Sequence, residues 1–177
     1  MAPVPERPRP DQPGEGPRGA AARLHRMLVE RGLTLAAAES LTGGLIGATI
    51  TAVPGVSASY LGGVISYDNQ VKTGVLGVPA DLLERCGAVH PEVATAMALG
   101  VRRLVPATFG LAVTGVAGPD PQDGRPPGTV FAAVAGPGGS VRSAEFALSG
   151  DRALIRNDTV LHGLELVAAM VAEIKPK

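Results

Sequence analysis

The sequence predicts an α/β domain, a three-layer α/β/α sandwich around a mixed, mostly parallel sheet. Short apolar runs typical of buried strands alternate with amphipathic helical patterns along most of the chain. A hairpin pattern follows the last alternation, so at least one strand pairing should be antiparallel. With 177 residues, the chain is long enough for one domain with a sizeable core.

The first half of the chain begins with a segment of different composition. Residues 1–19 are rich in proline, glycine and arginine without an apolar period, so we expect a disordered tail and a folded domain over residues 20–177. The predicted elements that follow are a helix (20–31), a strand (33–38), a helix (45–53), one helical turn (57–61), a buried strand (62–67) and a helix that begins at Asp68-Asn69.

The second half contains a strongly apolar strand and a long loop. The predicted elements are helices over 79–86 and 91–104, a central strand over 109–113, a hairpin of 129–135 with 141–148, and a last helix from Gly150-Asp151 to about residue 174. Residues 114–128 form a glycine- and proline-rich loop. Loops of this length inside a compact domain tend to be functional or mobile.

Composition excludes several classes of function. Lys plus Arg and Asp plus Glu both number 16, which gives no sign of a nucleic-acid or membrane partner. A single cysteine is typical of a reducing compartment. The sequence has no apolar run of about 20 residues and no secretory apolar segment, so we expect a cytoplasmic protein. Its three widely spaced histidines predict neither a metal site nor a cofactor site.

Lysine is rare in this chain. Thirteen of the basic residues are arginine and three are lysine, and two of those lysines lie at the C-terminus. Lys72 is therefore the one lysine in the body of the domain. A lysine loses its proton when it is buried or lies near positive charge, whereas arginine does not. Lys72 is either a candidate amine base or a surface residue without special function.

The turn between the first strand and the second helix contains the main candidate nucleophile. In AAESLTGG, Ser40 follows a strand and precedes a helix, so it is either a helix cap or a nucleophile. Backbone N–H groups after Thr42-Gly43-Gly44 would be available to an oxyanion. Lys72 also follows a strand, and parallel strands end at the same sheet edge, so a serine–lysine pair is possible there.

Three other features have both a functional and a structural interpretation. Tyr67 is either a catalytic group or a packed aromatic with a bonded hydroxyl. The TGVAGP turn (114–119) either lets a ligand approach the backbone or is a plain tight turn. Arg152 and Arg156, at the start of the last helix, could bind a phosphate or a carboxylate, while Asp151 caps that helix.

Six blocks of sequence, in order, resemble the CinA C-terminal domain family: AESLTGG, GGVISYDNQVKTGVLGV, GAVHPEVA, TGVAGPD, PGTVF and GDRALIR. The resemblance covers residues 20–172. Enzymatic members of this family are nicotinamide-nucleotide amidases, which convert nicotinamide mononucleotide (NMN) to nicotinate mononucleotide and ammonia. The resemblance therefore implies a three-layer fold, no metal or cofactor, and a mechanism similar to that of serine hydrolases.

The same blocks imply roles for individual residues. By position, Ser40 resembles the nucleophile, Lys72 its base, and Tyr67 a group that assists proton transfer or positions the amide. The residues that the resemblance implies for substrate binding are Thr42, Gly43, Gly44, Asn69, Thr114, Gly115, Ala117, Gly118 and Arg152. Thr114-Gly115 stands where the family often has SG, and His90 where it often has serine; both are mild departures.

Two alternatives to an NMN amidase remain at this point. The chain could be a non-catalytic nucleotide-binding module of the competence and damage-inducible family, or an amidase for a different nucleotide amide. For partners, we expect a small nucleotide, no nucleic acid, no membrane, and a homodimer or higher homo-oligomer. We also expect the stand-alone form, without the N-terminal domain that many CinA proteins carry.

Overall fold

The computed structural model describes residues 16–175 and contains one five-stranded sheet. The strands are β1 (Leu35–Glu39), β2 (Tyr60–Ile65), β3 (Phe109–Gly115), β4 (Thr129–Ala135) and β5 (Val141–Ala147), in the order β2-β1-β3-β4-β5. Strand β1 pairs in parallel with β2 and β3, whereas β3–β4 and β4–β5 are antiparallel. Every strand except β4 therefore points in the same direction.

Helices cover both faces of this sheet. They are α1 (Pro17–Arg31), α2 (Leu45–Thr51), α3 (Asn69–Gly74), α4 (Ala80–Cys86), α5 (Pro91–Leu104) and α6 (Arg152–Ala172). One core contains α1, α2 and α6, and the other contains α4 and α5. The predicted three-layer sandwich with a mixed, mostly parallel sheet is confirmed. Within residues 16–175, no helix combines the length and the apolar character that crossing a bilayer requires.

The two cores follow from the alternation of side chains along the central strands. In β1, Leu35 and Ala37 face the core of α1, α2 and α6, while Ala36 and Ala38 face that of α5. All of β1 is buried, as expected for a parallel strand with helices on both sides. In β3, a Cβ atom on Gly110 would collide with the backbone of α5 at Ala98, so glycine allows this close approach.

Two sequence predictions are corrected by the fold. The strand expected over residues 62–67 is β2, and it is not buried. It pairs with Leu35–Glu39 of β1 but lies at the sheet edge, where its residues alternate between half-buried and exposed. It has one neighbouring strand, so one side of its backbone faces away from the sheet. The disordered tail was predicted over residues 1–19. Residues 1–15 lie outside the described residues, and α1 begins at Pro17, within the predicted tail.

The long loop is close to its predicted extent. It runs over residues 116–128, between β3 and β4, and is here called the Gly/Pro loop. The serine turn, residues 40–44, joins β1 to α2. Because β1, β2 and β3 are parallel, the serine turn, the start of the Gly/Pro loop and the segment that contains Tyr67 lie at the same edge of the sheet.

Candidate active site

A cavity of about 270 Å³ opens at the carboxyl edge of the three parallel strands. Its walls are formed by Ser40 and Leu41, by Tyr67, by residues 115–122 and by Arg152. This is the place where open α/β sheets commonly bind ligands. The cavity thus lies between the ends of the three parallel strands and the first turn of α6.

Ser40 lies in the cavity wall and is nearly buried, with 9% of its surface exposed. Its backbone N–H donates to Val113 O (3.1 Å), and its carbonyl accepts from Gly43 N–H (3.0 Å). Gly43 and Gly44 have φ of +56° and +97°, values that favour glycine and let the chain reverse direction before α2. Within residues 16–175, none of the side-chain hydrogen bonds includes the Ser40 hydroxyl and no fully buried side-chain polar atom lacks a partner, so this hydroxyl is accessible from the cavity.

Glu39, the residue before Ser40, caps helix α2 from inside the protein. Its carboxylate is 3% exposed and accepts from Thr42 Oγ1 (2.7 Å) and from the backbone N–H groups of Gly44 (3.0 Å), Ile46 (2.9 Å) and Gly47 (2.8 Å). A negative charge there also interacts favourably with the helix dipole. Two expectations change: the N–H groups after Thr42-Gly43-Gly44 already have an acceptor, and neither Ser40 nor Thr42 is the cap of α2.

Glu39 also affects a neighbouring tyrosine. Burial, and secondarily the negative charge of Glu39, raise the pKa of Tyr60 to about 12. The Glu39 carboxylate itself accepts four hydrogen bonds from the serine turn and the start of α2. The turn before α2 is therefore organised around a buried negative charge.

Lys72 lies in α3 and is almost completely buried, at 1% exposure. Its Nζ donates to Tyr67 O (3.0 Å), and no hydrogen bond joins it to Ser40 Oγ. Burial lowers the pKa of Lys72, while the carboxylates of Asp68 and Asp123 oppose this shift. Tyr67 lies two residues after Ile65, which ends β2 and pairs with Glu39 of β1. The hydrogen bond to Tyr67 O therefore holds Lys72 Nζ near the end of β1, beside the serine turn.

Tyr67 and Arg152 meet across the cavity mouth. The Tyr67 hydroxyl accepts from Arg152 Nη2 (3.1 Å), and Arg152 Nη1 donates to Gly118 O (2.9 Å). Arg152 thereby connects the segment after β2 with the Gly/Pro loop. The tyrosine side chain is exposed, so its hydroxyl is accessible to a ligand. Tyr67, Arg152 and the TGVAGP turn thus border the same cavity.

Arg156, one helical turn after Arg152, holds the opposite wall. Its Nε donates to Leu41 O (3.1 Å) and its Nη2 to Thr42 O (2.5 Å). From the sequence, this side chain was predicted only as a possible ligand for a phosphate or a carboxylate. Both carbonyls belong to the serine turn, so Arg156 fixes the backbone next to Ser40.

The predicted site residues divide into two groups. Those that line the cavity are Ser40, Tyr67, Gly115, Ala117, Gly118 and Arg152. Those that do not are Thr42, Gly43, Gly44, Asn69, Lys72 and Thr114. Thr42 is fully buried against Glu39, Thr114 donates to Ala88 O (2.7 Å) from inside the core, and Asn69 is exposed at the first turn of α3. The roles predicted for both groups remain predictions.

Sequence reasoning missed Glu39 and Asp123. Glu39 was visible as a single charge in an otherwise apolar strand, a pattern that predicts a buried partner. Asp123, in the Gly/Pro loop, accepts from the N–H groups of Ala88 (2.7 Å) and Val89 (3.1 Å) and ties the loop to the segment before α5. No local pattern distinguishes Asp123 from other loop aspartates, because its partners are 34 and 35 residues away.

Comparison with known proteins identifies the family. Residues 18–171 match the model of the CinA C-terminal domain. A CinA-like protein of Frankia casuarinae is 50% identical over 146 residues, which are 82% of this chain and 34% of that protein. The chain spans about a third of the length of the curated relatives it matches.

Solved structures have the same fold over nearly the whole chain. The competence/damage inducible protein CihA from Agrobacterium tumefaciens has 34% identity and a TM-score of 0.85, covering 90% of this chain and 98% of that one. A competence-damaged protein (CinA) superfamily protein from Klebsiella pneumoniae has 29% identity and a TM-score of 0.87, covering 90% and 100%. The chain belongs to the CinA C-terminal domain family.

Proposed function

We propose that this chain is an amidase that hydrolyses the carboxamide of NMN with Ser40 as the nucleophile. The observation that carries the proposal is the state of the Ser40 side chain. Its hydroxyl lies in the cavity wall without a protein hydrogen bond within residues 16–175, while Glu39 performs the capping that would otherwise explain a serine at this position. A hydroxyl with no structural task is available for attack.

Lys72 would act as the base. Uptake of a proton requires a neutral amine. Burial lowers the pKa of Lys72 and so favours the neutral amine. Its Nζ is held at Tyr67 O, beside the end of β1, and not at Ser40 Oγ. Catalytic hydrogen bonds are often long in a free enzyme and shorten in the complex with substrate, and the proposal requires that one of these side chains moves toward the other when substrate binds.

The proposed chemistry has two halves. Ser40 Oγ attacks the carboxamide carbon, and its proton passes through Lys72 Nζ to the amide nitrogen. The C–N bond breaks, ammonia leaves, and nicotinate remains as an ester of Ser40. A water molecule then attacks this ester, with one water proton returning through Lys72 to Ser40 Oγ, which releases nicotinate mononucleotide. The Leu41 N–H follows the nucleophile directly and is the donor that we assign to the oxyanion.

The remaining lining residues supply groups for the rest of a nucleotide. Arg152 carries positive charge at the mouth and suits a phosphate, because guanidinium binds phosphate oxygens through paired donors. Asp120, also in the lining, offers acceptors to ribose hydroxyls. The curated relatives are about three times as long as this chain. NMN as the substrate of this chain is therefore a proposal and not a property taken from them.

Ammonia release from NMN by the purified protein tests the function directly, with and without EDTA. We expect hydrolysis that EDTA does not change. Replacing Lys72 by Arg retains a positive charge and removes the transferable proton, so Lys72→Arg should be inactive. Full activity in that variant would exclude Lys72 as the base, and an inactive wild-type protein would exclude NMN as the substrate.

The separation of the two proposed catalytic groups favours a second candidate, a nucleotide-binding module without turnover. A hydroxyl that has no hydrogen bond to Lys72 Nζ is not yet activated. Calorimetry would then detect NMN binding while no ammonia is released. If other nucleotide amides release ammonia and NMN does not, the chemistry is retained and the substrate is different.

A further inference from the structure

Arg156 makes its two hydrogen bonds to the backbone carbonyls of Leu41 and Thr42, immediately after Ser40. The side chain is half-buried and comes from α6, 114 and 115 residues later in the chain. A planar guanidinium presents donors in a rigid fork, so it fixes two acceptors relative to each other better than a flexible ammonium does. Among residues 16–175, both hydrogen bonds of this fork go to the serine turn.

The contacts of Arg156 fix the 41–42 and 42–43 peptide groups, which directly follow the peptide group that contains the Leu41 N–H. Each peptide group is planar, and its C=O and N–H point in opposite directions when it is trans. The 41–42 group is fixed by Arg156 at Leu41 O, and the 40–41 group by the hydrogen bond from Gly43 N–H to Ser40 O. Both peptide groups that flank Leu41 are therefore held, including the Leu41 N–H.

Arg156 and Glu39 hold the same turn through opposite kinds of backbone group. Glu39 accepts from N–H groups of the turn and of the start of α2, whereas Arg156 donates to carbonyls. Arg152, four residues before Arg156, lies on the same face of α6 and contacts the Gly/Pro loop. The first turns of α6 thus connect both walls of the cavity, with Arg156 committed to the wall that contains Ser40.

We propose that Arg156 is a positioning residue for the reaction at Ser40: it fixes the backbone of the serine turn so that the Ser40 hydroxyl and the Leu41 N–H are aligned for attack. This inference rests on the proposed function, because it takes Ser40 as the nucleophile. It differs from a role in substrate binding, since Arg156 donates to the protein backbone and is not among the residues that line the cavity. Its loss should therefore lower kcat and leave KM nearly unchanged.

Arg156→Gln removes the charge and the fork. We expect kcat for NMN to fall about 100-fold, because misplacement of a reacting group by about 1 Å has effects of this size. KM should stay within about threefold, since the substrate contacts are not altered. Arg156→Lys should recover part of the loss, because an ammonium can reach one carbonyl but lacks the fork.

Arg31 offers a matched control. It likewise donates through Nε to one carbonyl, Ile174 O (2.9 Å), and through Nη1 to a second, Met27 O (3.1 Å). This contact lies at the C-terminal end of α6, a helix of 21 residues and hence about 30 Å from its start. Arg31→Gln should lower the melting temperature as Arg156→Gln does and leave kcat unchanged. Comparison of the two variants separates positioning from stability.

A second measurement does not depend on NMN. A fluorophosphonate probe reacts with an activated serine: the serine oxygen binds phosphorus, fluoride leaves and the hydroxyl proton is released. Mass spectrometry of Ser40 labelling in the wild type, Arg156→Gln and Arg31→Gln should show slower labelling only in Arg156→Gln. Labelling with this pattern but no ammonia from NMN would reject the proposed substrate and support the role of Arg156.

Other outcomes would overturn the inference. Equal kcat and equal labelling rates in Arg156→Gln and Arg31→Gln would show that Arg156 is only structural, while NMN hydrolysis by both would leave the proposed function intact. A raised KM with unchanged kcat would make Arg156 a substrate ligand. A wild-type protein that is not labelled at Ser40 would reject both the nucleophile and its positioning residue.

Discussion

The two walls of the cavity are built in different ways. The serine turn is five residues long, its first three residues are buried, and the charges of Glu39 and Arg156 hold its backbone. The Gly/Pro loop is 13 residues long and exposed over 119–124, with Arg152 at Gly118 O and its own Asp123 as its side-chain anchors. Both segments leave the same edge of the sheet, yet only one is fixed by buried charge.

This difference indicates a division of tasks. Reacting groups must be held within fractions of an ångström, which requires a segment with many buried contacts. A segment that admits and covers a ligand must open at small free-energy cost, and exposed loops with few contacts do so. We therefore expect the serine turn to determine kcat and the Gly/Pro loop to influence mainly substrate binding.

The largest effect should come from the serine itself. Ser40→Ala should lower the rate of NMN hydrolysis at least about 1,000-fold, because removal of a nucleophile removes the covalent route. Its unfolding free energy should stay within about 0.5 kcal/mol of the wild type, since the hydroxyl makes no hydrogen bond to the part of the chain that the structure describes. Gln122→Ala, in the opposite wall, should raise KM with little change in kcat. Similar kcat losses in both variants would contradict the division of tasks.

The second prediction compares two carboxylates that accept backbone N–H groups. Glu39→Ala should lower the unfolding free energy by about 3 kcal/mol, because buried donors lose a charged acceptor. Asp123→Ala, which removes an exposed carboxylate from two N–H groups, should lower it by about 1 kcal/mol. Urea denaturation of both variants measures the difference. Equal losses would mean that the serine turn is no more firmly held than the loop.

The third prediction concerns pH and connects the loop to the base. If Lys72 must be neutral, kcat/KM should rise with pH through the pKa of Lys72, which burial places below 10.5. Asp123 opposes this shift, so Asp123→Asn should lower the pKa further and move the rise in kcat/KM to lower pH. A pH profile that does not move in this variant would separate Lys72 from the rate. Gln122→Ala serves as the loop control.

The smallest effect is expected in the dependence of stability on pH. Lys72 titrates below its unfolded value of 10.5, so between the two pKa values the unfolded chain binds more protons than the folded one. The contribution of Lys72 to stability is therefore unfavourable at lower pH and recovers as pH rises toward 10.5. In Lys72→Met this contribution disappears. The difference in unfolding free energy between variant and wild type should shrink with rising pH.

Several elements could be predicted because their cause is local. A strongly apolar run predicted β3, the glycine-rich turn between two runs predicted the hairpin of β4 and β5, and proline at the first turn predicted the start of α5 at Pro91. The N-cap roles of His90 and Asp151 also follow from nearby sequence, since each side chain accepts an N–H two or three residues later. Such contacts form within one turn of chain and need no other element.

The edge position of β2 could not be predicted in this way. Its apolar and glycine-rich sequence suits a buried strand, but burial depends on the number of neighbouring strands. The order β2-β1-β3 places it outermost, with Leu61 and Ile65 exposed. Strand order is a property of the assembled sheet and not of the strand.

The sequence by itself determined the layered α/β fold, the placement of the serine turn and of the segment from Tyr67 to Lys72 after strands that could end at one sheet edge, and the candidates Ser40 and Lys72. The tertiary structure decided which hydrogen bonds these groups make: Glu39 caps α2, Arg156 donates to the carbonyls after Ser40, and Lys72 donates to Tyr67 O. The reason is physical. Periodicity specifies which face of an element is apolar, whereas a hydrogen bond between residues 115 apart exists only after the layers have packed.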